Sequence, residues 1–148
     1  MVAIMTRWTW GCLAAVVLPF FGALVLVFGF VMPPIWRDDD RLDALLDRVL
    51  AYPLPPETSE LSGQRDTDFG RSLFGGNGDY CDYRIRIVLQ TKRTQEEIQK
   101  HYRKAIIKGA EENATLTLFF EDGGDTSGRR VIVEVTDSHG SDWDWRCT

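Results

Sequence analysis

The run GCLAAVVLPFFGALVLVFGFVM, Gly11 to Met32, is 22 residues without a charge or a polar face. At about 1.5 Å per residue a helix of that length reaches roughly 33 Å, against about 30 Å for the hydrocarbon core of a bilayer. A helix facing the core of a soluble domain carries a polar stripe, and this run has none. Trp8 and Trp10 at one end and Trp36 at the other suit the two membrane interfaces. Pro19 inside the run is tolerated in lipid-embedded helices. The reading is a single transmembrane helix over residues 8–33, acting as a signal anchor and in contact with membrane lipid. A short tail, 1–7, precedes it. An amphipathic juxtamembrane helix and Pro-rich linker, 34–56, follow, and then a soluble domain, 57–148. A cleaved signal peptide needs a shorter apolar core and small residues before the cut, which Val27-Phe28-Gly29 supplies poorly. A lipid-modified cysteine follows its apolar run, whereas Cys12 lies at the start of this one and reads as a small hydrophobe.

The rest of the chain is polar and acidic. Residues 37–148 hold 16 Lys and Arg against 22 Asp and Glu, a net charge of −6. Nucleic-acid affinity rests on cations neutralising phosphates, so this balance argues against a nucleic-acid partner. Arginine greatly outnumbers lysine, a bias of GC-rich bacterial genomes.

Two observations bear on orientation and pull in opposite directions. Arg7 lies on the short side of the apolar run and Arg37, Arg41 and Arg48 on the other, which by the positive-inside rule favours a cytoplasmic domain. Cys81 and Cys147 are the two cysteines of the soluble part, one opening a strand pattern and the other close to the chain end. A bond between them ties down a terminus that otherwise frays, and such bonds persist in oxidising compartments. The cysteines are given the greater weight, so the domain is expected outside the cytoplasm.

Periodicity supplies the fold class. RDDDRLDALLDRVLAY sets Leu42, Leu45, Leu46, Val49 and Leu50 at helical spacing, with Asp38, Asp39 and Asp40 read as its cap and first turn, and YPLPP as its end. Residues 57–74 read as an irregular first strand. CDYRIRIVLQ alternates Tyr83, Ile85, Ile87 and Leu89 with Arg84, Arg86, Val88 and Gln90, the mark of a half-buried strand. TQEEIQKHYRKAIIKG is a helix, with Thr94 and Glu97 as a capping box. Its expected buried stripe is Ile98, Tyr102, Ala105 and Ile106, with Lys104 and Lys108 near its C-terminal dipole and Gly109 as the terminating glycine. ATLTLFF and RVIVEVT are two further strands around a Gly/Asp-rich loop. The order β-β-α-β-β implies an α+β, two-layer domain with an antiparallel or mixed four-stranded sheet and the helix on one face. A crossover helix makes strands 2 and 3 parallel and strand 4 opposed to both. The cysteines then meet if strand 4 lies beside strand 2, giving the order 1-2-4-3. The same pairing sets Glu134 across from Arg84 or Arg86 on the face away from the helix.

Candidate chemistry is sparse. GGNGDYCDYR places Asn77, Asp79 and Asp82 near Cys81, but without the spacing of an EF-hand or a phosphate-binding loop, so it reads as a turn stapled by the cysteine. Glu121, Asp122 and Asp125 offer oxygens for weak ion binding, though a hairpin loop needs the same residues. DSHGSDWDW gives His139 among carboxylates, too few ligands of the right kind for zinc, and reads as a solvated tail with Trp143 and Trp145 packed on the domain. His101 is expected to flank the core. Asn113-Ala114-Thr115 is a sequon that matters only in a eukaryotic secretory pathway. No nucleophile, base and orienting group can be assembled, so the chain is read as non-enzymatic, without cofactor or metal. Arg84, Arg86, Thr115, Thr117 and Glu134 form the candidate partner-binding face. The expectation is a membrane-anchored extracytoplasmic domain that binds an envelope protein or helps build an envelope assembly. A small-ligand or calcium-binding domain using the acidic loops is the alternative.

Overall fold

The computed structural model describes residues 17–72, 80–121, 128–140 and 144–147. Trp8, Trp10, Cys12, Asn77, Asp79, Asp122, Asp125, Asp142 and Trp143 lie outside the described residues. The chain divides into two compact units, Met1–Asp38 and Asp39–Thr148.

A helix, α1, spans Val17–Ala51 and is long and apolar enough at its N-terminal end to cross a membrane, a property that fits a single-pass anchor or a signal sequence. In the first unit its apolar side chains point outward on all sides. Leu18, Phe20, Phe21, Val25, Leu26 and Phe30 are each at least 60% exposed. The hydrogen bonding loosens to a π-helix over Val27–Val31, where the Met32 N–H reaches back to the Val27 carbonyl. Pro33 and Pro34 follow at once and have no N–H to continue the regular ladder, so the wider turn sits where that ladder loses its donors. Asp38, Asp39 and Asp40 do not open a helix, contrary to the sequence reading: Met32–Ala51 is helical throughout, and the three aspartates lie inside it.

The second unit is built on a four-stranded antiparallel sheet of order β1-β2-β4-β3. The strands are β1 (Thr58–Arg71), β2 (Tyr80–Thr91), β3 (Thr115–Glu121) and β4 (Arg129–Gly140), with the short helix α2 (Gln95–Tyr102) between β2 and β3. On β2 burial alternates strictly, so that Cys81, Tyr83, Ile85, Ile87, Leu89 and Thr91 all face inward. Val131, Val133 and Val135 of β4 complete the inner face of the sheet. Leu45 and Val49 from α1 and Ile98 and Tyr102 from α2 join them in one core. Leu42 and Leu46 are partly buried against that core, whereas Leu50 is 40% exposed. The Tyr102 hydroxyl, buried and close to Tyr52, has its pKa pushed up to about 12.

The irregularity of β1 has a definite site. Pairing with β2 runs Thr58↔Thr91 to Glu60↔Leu89, shifts, and resumes at Arg65↔Ile87. Gly63 within the shift has φ +75°, a backbone that glycine adopts without strain.

The capping box at Thr94 and Glu97 is present, but the helix it opens is shorter than its periodicity suggests. Arg103 is the C-cap, and the Ala105 N–H turns back to the Tyr102 carbonyl at 2.9 Å. Ala105 and Ile106 are therefore not part of a helical stripe. Ile107, 5% exposed, enters the core, and Ile106 is 75% exposed. Gly109 is not a helix-ending glycine. A Cβ there would run into the Asp137 carboxylate, so close packing is what requires glycine.

β4 continues to Gly140, beyond the apolar run that marked it. His139 is thus a strand residue, 1% exposed, and not part of a solvated tail, while Trp145 is 66% exposed. His101 does sit at the edge of the core: its Nε2–H donates to the Pro53 carbonyl at 2.8 Å, and its ring meets Tyr52 edge-on at 5.4 Å.

Cys81 and Cys147 form a disulfide, with Cα atoms 5.4 Å apart and a separation of 66 positions in sequence. Replacing both by serine in the full-length protein is expected to lower the unfolding free energy by about 4 kcal/mol. Urea titration in mild detergent, read by near-ultraviolet circular dichroism, measures it. No loss would mean that the C-terminal turn is held without the bond.

Candidate functional site

The sheet has one face covered by helices and one open. Strand register assembles the open face. Asp68, Arg84, Thr136 and Thr115 are in line across β1, β2, β4 and β3, and Asp66, Arg86, Glu134 and Thr117 form the next row. All five residues read from the sequence as a partner-binding face, Arg84, Arg86, Thr115, Thr117 and Glu134, thus occupy two adjacent rows. They line a broad concavity of 950 Å³.

The chemistry of that concavity is one of crossed charges. Arg84 Nη2 donates to Asp68 Oδ2 at 2.9 Å, and Arg86 pairs with Glu134 from the strand beside it. Ser138 Oγ donates to Asp82 Oδ1 at 2.6 Å at the next row. Arg84 Nε–H is buried and has no hydrogen-bond partner among the described residues.

The residues proposed for weak ion binding fare differently. Glu121 Oε2 accepts from Arg130 Nη1 at 3.3 Å, in an exposed pair, while Asp122 and Asp125 lie outside the described residues. Among the described residues no group of three or more His, Cys, Asp or Glu side chains is placed to hold a metal ion.

Sequence reasoning missed a second polar cluster, at the end of the inner sheet face. Phe69, Tyr83 and His139 stack, with successive ring centroids 4.9 Å apart. A carbonyl only accepts, so the 2.6 Å bond from His139 Nδ1 to Gly140 O fixes the proton on Nδ1. The Arg146 guanidinium lies 4.5 Å from the Phe69 ring centroid. It also donates through Nη2 to Asp144 Oδ2 at 2.6 Å and through Nη1 to Asp39 Oδ1 at 2.8 Å. Asp144 is fully buried. Its hydrogen bond is the main cause of the upward shift of the Arg146 pKa, against the opposing effect of burial. Cys147 follows directly, so covalent and ionic ties hold the same turn. The signal for the buried end of β4 was present: Val131, Val133, Val135, Asp137 and His139 continue one period-two series, but the last two are polar.

Asp137 is 4% exposed. Burial pushes its carboxyl above the ordinary aspartate range, against the pull of the Ala110 N–H, which donates to Oδ2 at 2.6 Å.

No family model matches the chain, and neither a curated protein nor a solved structure matches it.

Truncating Arg146 to alanine leaves the buried Asp144 without its guanidinium and is expected to cost about 3 kcal/mol. Arg146→Lys, which keeps the charge and loses the fork, should fall between. Urea titration of the three proteins checks the order.

For Asp137 the sign follows from its raised pKa. The neutral carboxyl is favoured by folding, so that contribution is complete below the unfolded aspartate pKa of about 4 and is lost as pH rises through the folded value. Asp137→Asn keeps an acceptor for Ala110 and does not titrate. The stability of the wild type relative to this variant should therefore decline from about pH 4 upward and then level off. Thermal melts of both proteins across pH 3–8 measure the difference.

Proposed function

We propose that this chain is a non-enzymatic, single-pass membrane protein whose disulfide-closed domain lies outside the cytoplasm and binds a protein partner through the open face of its sheet. The membrane part of the reading is carried by the outward-facing apolar side chains of residues 17–31, for which a bilayer is the matching solvent. The compartment is supported by Cys81–Cys147, since such bonds persist where thiols oxidise. On this reading α1 inserts in the bilayer as a signal anchor, and the β-β-α-β-β domain with its one crossover helix is the part offered to the partner.

The observation that carries the binding role is the concavity around Arg84, Arg86, Thr115, Thr117 and Glu134. Crossed ion pairs on an exposed face contribute little to stability, commonly about 0–1 kcal/mol each. They do set an electrostatic pattern that a partner can read. The acidic-loop alternative, a calcium or small-ligand domain, loses one ligand to Arg130 at Glu121 and is not favoured by any described residue.

A photo-crosslinking side chain at position 117, in the full-length protein in its native membrane, should give one defined protein adduct. Arg84→Ala should abolish that adduct while changing stability by no more than about 1 kcal/mol. A topology reporter fused after residue 148 should report the non-cytoplasmic side. Absence of any adduct would overturn the binding role, and a cytoplasmic reporter signal would overturn the location.

A further inference from the structure

The cations of this chain are unevenly placed. All of its lysines, Lys92, Lys100, Lys104 and Lys108, lie within 92–108. The stretch 99–109 holds Lys100, Arg103, Lys104 and Lys108 and no carboxylate. Taking those four from the 16 cations of residues 37–148 leaves 12 against 22 carboxylates, so one basic segment stands out from an acidic domain. Arginine and lysine are also used differently. Arginines make the fixed pairs with Asp39, Glu60, Asp68, Glu121, Glu134 and Asp144. None of the lysine side chains makes an ion pair or hydrogen bond among the described residues.

At the centre of this segment is an apolar tip. Ile106 is 75% exposed and flanked by the exposed Lys104 and Lys108. One exposed isoleucine is unremarkable on a surface, but this one sits on a braced loop. Ile107 beside it is buried and accepts from the Ala114 N–H at 2.8 Å. The Gly109 N–H donates to Glu112 O at 2.7 Å, and Arg48 Nε–H to Lys108 O at 2.7 Å. Of the carboxylates that flank the segment, Glu97 accepts from Arg93 Nη1 at 3.1 Å, Glu111 accepts from the Gly140 N–H at 3.2 Å, and both Glu111 and Glu112 line the open-face concavity, while Glu96 is exposed one helical turn before Lys100.

We propose that the α2–β3 connection, with Ile106 as its apolar tip and Lys100, Arg103, Lys104 and Lys108 around it, is a docking surface for an anionic phospholipid bilayer. The charges match those of the headgroups, and a single isoleucine reaches the headgroup–acyl boundary without requiring a pocket. Lysine suits such a target: a point charge on a flexible stem follows mobile phosphates, whereas the rigid arginine fork suits a partner of fixed geometry. This contact belongs to the folded domain and goes beyond the anchoring of the chain by its apolar helix.

The test uses the full-length protein with Cys12→Ser and Ile106→Cys, so that an environment-sensitive fluorophore can be attached at position 106 while Cys81–Cys147 stays oxidised. It is reconstituted in vesicles of phosphatidylcholine alone or with phosphatidylglycerol at 30 mol%. The expected result is a blue-shifted emission, quenched by spin-labelled lipid, only in the anionic vesicles and reversed by 0.5 M salt. Each cation near such a surface is worth about fivefold in partitioning, so Lys104→Gln with Lys108→Gln should lower the equilibrium constant for lipid contact about 25-fold. Both lysines are exposed, and near-ultraviolet circular dichroism confirms that the variant is folded. Emission that is identical in the two vesicle types, or a shift that ignores salt, overturns the proposal. Resistance of the protein to carbonate extraction reports separately on insertion of the helix, so failure of the anchor and failure of this contact are told apart.

Discussion

The β2–β4 ladder is the constraint on which the rest of the second unit depends. Twelve consecutive residue pairs, from Tyr80↔Gly140 to Thr91↔Arg129, join the two central strands without a register shift. Because side chains alternate across a strand, this one register sorts both strands into an inner and an outer set, and a slip of one residue would exchange them. The inner set supplies the surface on which Leu45, Val49, Ile98 and Tyr102 pack. The outer set places Arg86 against Glu134 and begins the rows that β1 and β3 complete. The same ladder sets Cys81 opposite His139, at the end of the sheet to which the chain returns with Cys147.

That inner face is not apolar along its whole length, and its polar end explains much of the local detail. Past Val135 it carries Asp137 and His139, both nearly inaccessible to solvent. Each is accommodated by a specific neighbour: Ala110 N–H for the carboxylate, and the Tyr83 ring and Gly140 carbonyl for the imidazole. Gly109 has no side chain because the Asp137 carboxylate occupies that space. Arg146 closes the same end by joining Asp144, Asp39 and the Phe69 ring. A disulfide beside a multiply bonded guanidinium limits how far that turn can open, since releasing either tie leaves the other in place.

Much of this architecture was legible in local pattern. The alternation of Tyr83, Ile85, Ile87 and Leu89 against Arg84 and Arg86 identifies a strand and its two faces together. Thr94 with Glu97 marks a helix start because both halves of the reciprocal cap lie within one turn. The strand order 1-2-4-3 followed from joining two cysteines through a topological argument, and that order put Glu134 across from Arg84 or Arg86; the register makes it Arg86. The helix end was not legible. Ala105 and Ile106 continue the period of Ile98 and Tyr102, and nothing local reveals that the chain turns after Tyr102 to bury Ile107 instead. The polar end of β4 was legible only as a continued period of two, because the buried environment of Asp137 and His139 is made by residues distant in sequence. The aspartates 38–40 misled for a related reason: acidic residues favour a helix start but do not prevent a helix from running through them.

By itself, the sequence determined the properties that depend on near neighbours: an apolar segment of membrane-spanning length, an acidic α+β domain, the faces of the central strand, and the two cysteines available to close it. Periodicity and hydrophobicity are properties of a short stretch of chain, so they can be read before any fold is known. Tertiary structure decided which polar groups are buried, where the second helix stops, and which cations have partners. Those outcomes depend on atoms brought together from positions up to 107 residues apart, as Asp39 and Arg146 are. No local pattern contains the distance between them.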